Sequence, residues 1–251
     1  MTIMYRSGLS IAALLVIALS SLSSFAQEYS PPRTSDGHPD LQGVWQALNT
    51  AVWDIQDHSA SHGVPAGQGV VVGNHIPYQE WALEQRQENY NNRLTEDNEA
   101  NCTLVSVPRI TYMPYPFQIF QTEDQVVMTY EWVHAIRNIF LTGEHLPGPI
   151  EWYMGDSRGH WEGDTLVVDV VHFTGETWLD RSGNFHSPSM HLVERYTRTG
   201  PDHMLYEVTI DDPEVYTEPW QISMPLYRRI ESDIRVLEYE CYAMAELEGA
   251  S

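Results

Sequence analysis

The densest run of chemically capable side chains is Thr177–Ser187, TWLDRSGNFHS, which leads into a segment carrying His191, Glu194 and Arg195. A neutral histidine beside a carboxylate acts as a general base, and an arginine nearby holds an anionic substrate group. The expected arrangement has His186 or His191 as base and Asp180 as the carboxylate that orients it. Two further polar side chains interrupt apolar rows. Tyr130 shares a strand face with Val126, Met128 and Trp132, and Arg137 shares one with Ala135, Ile139 and Leu141. Tyr130 is the expected acid, with Arg137 and Arg195 as anion clamps. Asp169, a carboxylate among valines, and Arg109 of Val107-Pro108-Arg109 complete the expected substrate-binding set. The structural alternative is a braced loop whose histidines cap it, with Asp169 paired to a barrel arginine because an isolated buried carboxylate is too costly.

Eleven histidines invite a metal reading. His58 and His62 have H-x-x-x-H spacing, but their Ser, Ala and Gly flanks read as loop, and no H-E-x-x-H occurs. Asp180, His186 and His191 could form a two-histidine, one-carboxylate site, yet acid-base work is the better use of the same groups, so no metal and no cofactor is expected. P-loop and G-x-G-x-x-G patterns are missing, which disfavours nucleotide and dinucleotide chemistry. The chain has no lysine, which removes Schiff-base catalysis.

The elements that would position these groups are mostly strands. Leu41–Trp45 carries Gly-x-Trp at the first of them; in lipocalin-like barrels that tripeptide closes the barrel floor. The others are expected at Gln118–Gln121, Gln125–Trp132, His134–Thr142, Arg158–Trp161, Thr165–Phe173, Met190–Arg198, Met204–Asp212, Trp220–Arg229 and Val236–Tyr242. Turn signals such as Glu162-Gly163-Asp164 and Thr199-Gly200-Pro201-Asp202 separate them. Short links imply hairpins, since a parallel crossover takes a dozen or more residues. The expected fold is therefore all-β, an antiparallel meander closed into a lipocalin-like barrel that leaves no edges, with one N-terminal helix and long loops. That helix is expected over Gln79–Arg93, after Pro77. Residues 46–101, a loop-and-helix segment, are expected to cover the barrel within a single domain, 27–251.

Residues 1–26 read as a cleaved signal peptide: Arg6, an apolar run from Leu9 to Leu19, and Ser24-Phe25-Ala26 at the cleavage point. The run is too short to span a bilayer. Without Arg6 the mature chain holds 35 acids against 12 arginines, a net charge of −23. Nucleic acid and anionic membrane surfaces are poor partners for such a surface, so the expected partner is a small-molecule ligand or substrate, with no membrane insertion. Cys102 and Cys241 are the two cysteines. Export to the periplasm or medium favours a disulfide between them, with two separate buried thiols as the alternative.

Several long stretches carry a resemblance: Gly37-His38-Pro39-Asp40-Leu41, Pro65-Ala66-Gly67-Gln68-Gly69-Val70-Val71, Met113-Pro114-Tyr115-Pro116-Phe117, Gly155-Asp156-Ser157-Arg158-Gly159, Trp161-Glu162-Gly163-Asp164-Thr165, Phe185-His186-Ser187 and Glu194-Arg195-Tyr196. The chain resembles a large family of exported bacterial proteins to which no activity is attached. His160 departs from the arginine that this resemblance implies before the Trp-Glu-Gly-Asp turn.

The function expected from the residues is an exported enzyme using acid-base chemistry, as a lyase, isomerase or hydrolase, on a small organic molecule in a barrel cavity. The alternative is a carrier barrel without turnover for an apolar or aromatic molecule. Catalysis requires the polar groups to converge on one point, whereas a carrier leaves them scattered along the wall. A structural protein of the envelope would have a filled barrel.

Overall fold

The computed structural model describes residues 29–61 and 64–242. The signal-peptide reading of 1–26, and His62 of the H-x-x-x-H pair, lie outside them.

Nine strands form a closed barrel in chain order: β1 (Gly43–Ala47), β2 (Phe117–Gln121), β3 (Gln125–Tyr130), β4 (Ile136–Phe140), β5 (Asp156–Glu162), β6 (Thr165–Val171), β7 (His191–Gly200), β8 (His203–Asp211) and β9 (Trp220–Arg228). One helix, α1 (Glu80–Glu96), precedes β2. Alternation makes the strands: β7 reads HLVERYTRTG with every second side chain buried, from Leu192 through Glu194 and Tyr196 to Arg198. The inward rows of β3, β6, β8 and β9 add Val126, Met128, Leu166, Val168, Tyr206, Val208, Ile222 and Met224 to one continuous core. Burying a side chain of this size stabilises the fold by about 1.5–3 kcal/mol.

The all-β barrel with a single helix is as expected, but the meander is mixed. Eight junctions are antiparallel; β4 and β5 run parallel and share two register pairs, Ile139 with Ser157 and Phe140 with Arg158. Closure explains this. Each antiparallel junction reverses strand direction, so a closed ring of nine strands needs an odd number of parallel junctions. The seam falls at β4–β5, where residues 141–155 form a link long enough for a parallel crossover. The expected tenth strand, Val236–Tyr242, is absent from the barrel. β9 already pairs with β1, leaving it no edge to join, and its segment makes one bridge, Tyr239 to Trp132.

Direction places the loops. The end at which β1, β3, β6 and β8 finish carries residues 48–116, 131–135, 172–190 and 212–219. There α1 lies against the 177–187 loop: Asn89 Nδ2 donates to Gly183 O (3.1 Å), and Arg86 Nε to Asn184 Oδ1 (2.8 Å). Gly183, at φ +79, permits this approach, because a Cβ would sit 2.7 Å from Asn89 Cβ. At the opposite end Trp45 is fully buried, donates its indole N–H to Leu41 O (2.9 Å), and lies 5.7 Å beneath the Arg198 guanidinium. Cys102 and Cys241 are disulfide-bonded, which ties the C-terminal segment to the stretch following α1.

Candidate functional site

The groups expected to form one catalytic site occupy three separate places, and Arg109 lies apart from all three. The mouth loop holds Asp180 and His186, each consumed locally. Residues 178–185 fold as a small hairpin, with Trp178 bridging Phe185. Asp180 is fully buried inside it and accepts N–H bonds from Ile55 (2.9 Å), Ser182 (2.9 Å), Asn184 (3.1 Å) and Asn184 Nδ2 (2.5 Å). It fastens the loop to residues 52–55 and makes no bond to either histidine. His186 donates from Nδ1 to Ser187 O (3.0 Å) and accepts at Nε2 from the Thr177 hydroxyl (2.8 Å). Burial holds this imidazole below the ordinary histidine range, so it is a neutral ring with both nitrogens engaged.

Burial, joined by the neighbouring Asp54 carboxylate, pushes Asp180 up to about 7. A carboxyl raised above its unfolded value of about 3.9 contributes stability that is complete below that value and is lost as pH rises through about 7. Asp54→Asn removes the repulsion. The variant is therefore expected to lose about 1–2 kcal/mol less stability than the wild type between pH 5 and pH 8. Urea denaturation at the two pH values checks this, and equal losses would show that Asp54 does not press on Asp180.

The second place is the barrel interior, which is packed. Arg137 and Glu194, both buried, form a two-pronged ion pair through Nη1–Oε1 (3.1 Å) and Nη2–Oε2, while Arg137 Nε donates to Ser157 Oγ (3.1 Å). Glu194 also accepts the hydroxyls of Tyr196 (3.0 Å) and Tyr206 (2.8 Å). Burial and the Glu194 charge hold both phenols well above their ordinary range, so they remain neutral donors. Burial opposes the Arg137 charge, but Glu194 outweighs it and the guanidinium stays ionised. Tyr130 points inward as well, its hydroxyl on Met128 Sδ (3.3 Å), with burial raising its pKa. Arg109 is buried elsewhere, on the 3₁₀ turn Arg109–Tyr112. It is bidentate to Asp97 (2.6 and 2.9 Å) beyond the end of α1 and reaches Glu99 (3.0 Å).

The third place is the outer wall of β5–β7, where His191, Asp169 and Arg195 face away from the core. Arg195 makes a surface pair with Glu162 (2.9 Å). Asp169 accepts His191 Nε2 on one oxygen (2.7 Å) and His145 Nε2 on the other (2.8 Å). His145 was not among the expected site residues. Its nearest signal was the link around it, GEHLPGP, whose length marks a crossover. His145 Nδ1 also reaches Asp156 Oδ2 (3.0 Å), which takes the Leu146 N–H (3.0 Å) and lies within reach of Arg158 (3.3 Å). Burial raises the Asp156 carboxyl, but these donors prevail and hold it below the ordinary range. His172, at φ +65, ends β6 and turns the chain, so that Phe173, which strict alternation would set on the same face as Asp169, is fully buried.

Between this wall and β4 lies a cleft of about 470 Å³ over the parallel seam. Its sides are Leu104, Ile136, Phe140, Leu146, Trp152 and Met154; Asp156 and Ser157 lie along the start of β5. Residues 141–155 form the far side as a strap across the barrel wall. Gly155 lets the strap dive to β5, since a Cβ there would meet Val170 Cγ1 at 2.7 Å. Fourteen large apolar side chains are exposed among the described residues, and five fall on β4 and the strap: Ile136, Phe140, Leu146, Ile150 and Tyr153.

Comparison with protein-family models, curated proteins and solved structures finds no match to this chain. The chemistry of the cleft therefore rests on its own geometry.

Proposed function

We propose that this protein is a ligand-binding barrel, exported from the cell, that holds an apolar or aromatic small molecule in the cleft over the β4–β5 seam. The observation that carries the reading is the cleft itself, an apolar-walled concavity of ligand size with a few polar groups along one side. A filled lumen alone would suit a structural protein of the envelope, whereas the exposed apolar rim favours an occupant. Scatter supports binding over turnover. His186 and Asp180 are saturated in the mouth loop, Arg137 and Tyr130 are enclosed in the core, and His191 and Asp169 lie on the outer wall, so no three of them face one reacting atom. Export accords with the disulfide and with the signal-like residues 1–26, and no helix among the described residues is long and apolar enough to cross a membrane. The motifs shared with the exported bacterial family support the same placement.

Trp152 supplies the largest apolar wall. Trp152→Ala is expected to weaken binding of 8-anilinonaphthalene-1-sulfonate by at least about tenfold, the worth of one buried aromatic contact. Fluorescence titration measures it. Equal affinity in wild type and variant would remove the cleft as the site, and native mass spectrometry of protein purified from its host would show whether a ligand accompanies it.

A further inference from the structure

The strap forms one wall of the cleft, yet few bonds hold it down. At its start Leu141 N donates to Asp124 O (2.8 Å), and at its end Trp152 N donates to His172 O (2.8 Å) and the Ser106 hydroxyl to Tyr153 O. Residues 147–151 make no hydrogen bond among the described residues, and Gly143 and Gly148 adopt positive φ on either side of His145 and Leu146. Between the two ends, the strap's main fastening is His145 with the adjoining Leu146 N–H.

We propose that His145 is a proton-operated latch on this strap, and that the cleft holds its ligand most tightly while the ring is protonated. Both ring nitrogens lie within hydrogen-bonding distance of carboxylates, Asp156 at 3.0 Å and Asp169 at 2.8 Å. A carboxylate only accepts, so both contacts are bonds when both nitrogens carry hydrogen, which is the imidazolium. Removing a proton cancels one bond and sets a nitrogen lone pair against a carboxylate oxygen. Between its ends the strap is then held mainly by one His145 bond and the Leu146 N–H, and the wall bearing Leu146, Trp152 and Met154 loosens.

Charged and titratable groups face the ring from three strands and from the strap itself. From β5 it faces Asp156, itself shared with Arg158; from β6 it faces Asp169; and the His172 ring stands edge-on with centroids 6.3 Å apart. From β7, His191 shares Asp169 through its other oxygen. Glu144 adjoins it on the strap. Two anions touch the ring directly, and the cations reach it only through them. The latch is closed in acid and opens as imidazole loses its proton.

The statement about ligand rests on the cleft reading above, but the statement about the strap does not, and the test separates them. Amide hydrogen exchange of the full protein is measured at pH 5.5 and pH 8.5, corrected for intrinsic rates, with β7 and β8 as internal reference. Protection of the Leu146 amide, which donates to Asp156, is expected in the wild type to fall by at least about tenfold at the higher pH, the worth of one charge-assisted bond. His145→Gln is expected to be poorly protected at both, and His191→Gln to retain the fall. Wild-type protection independent of pH, or a His145→Gln strap that still responds, overturns the latch. Asp169→Asn, which removes a single partner, serves if His145→Gln does not fold. In parallel, the dissociation constant of 8-anilinonaphthalene-1-sulfonate is expected to rise with pH in the wild type and not in His145→Gln. A pH-independent constant overturns the coupling to ligand, while no binding at all overturns the cleft reading and leaves the exchange result to decide the latch.

Discussion

Arg137→Met is expected to destabilise the protein by about 3–5 kcal/mol, because it leaves Glu194 charged in the barrel core without a cation. Glu194 would retain the hydroxyls of Tyr196 and Tyr206, and neutral donors do not replace a guanidinium that meets both oxygens. Chemical denaturation of the variant checks the magnitude. Sign follows from the same physics: an uncompensated buried carboxylate relieves its cost by taking up a proton, so the gap to wild type should narrow as pH falls. Arg137→Met with Glu194→Gln removes the orphaned charge and is expected to recover more than half of the loss. Equal destabilisation in the single and double variants would mean that Arg137 acts through packing alone, and the double-mutant cycle gives the coupling directly.

Replacing Cys102 and Cys241 with serine is the second large effect. The bond closes a loop with a sequence separation of 139, which contains eight of the nine strands. Chain entropy assigns a loop of this length about 4–5 kcal/mol. At about 2–4 °C per kcal/mol for a domain of this size, the melting temperature should drop by roughly 10–15 °C. The C-terminal segment would also loosen locally, since it is otherwise held by the Trp132–Tyr239 bridge, the Tyr115–Tyr239 ring contact and the Leu237 N–H to Glu131 (3.0 Å). Calorimetry with and without reductant measures the drop. A shift of under about 3 °C would place the unfolded chain's compactness, not the crosslink, in control.

The two departures in the fold share one cause. Val236–Tyr242 alternates like a strand, and counting it gives ten strands, an even number that closes with antiparallel pairs alone. With that segment outside the barrel nine remain, and one junction must be parallel. Local alternation cannot reveal this, because whether a segment joins a sheet depends on a free edge, and β1 had taken the last one.

The candidate site divides along the same line. Sequence by itself determined where the barrel strands lie, that His191 and Arg195 share one face while Glu194 points to the other, and that the chain holds one cysteine pair. These follow from a period of two and from composition, both of which are local. Tertiary structure decided that Glu194 faces inward to Arg137, that Asp169 and not Asp180 meets His191, and that His145 joins them from the far side of a crossover. Such pairings depend on strand register and on how the barrel closes, which bring together residues dozens of positions apart. A carboxylate's partner is whatever closure places beside it, so the chemistry of the mouth loop was legible as composition and not as geometry.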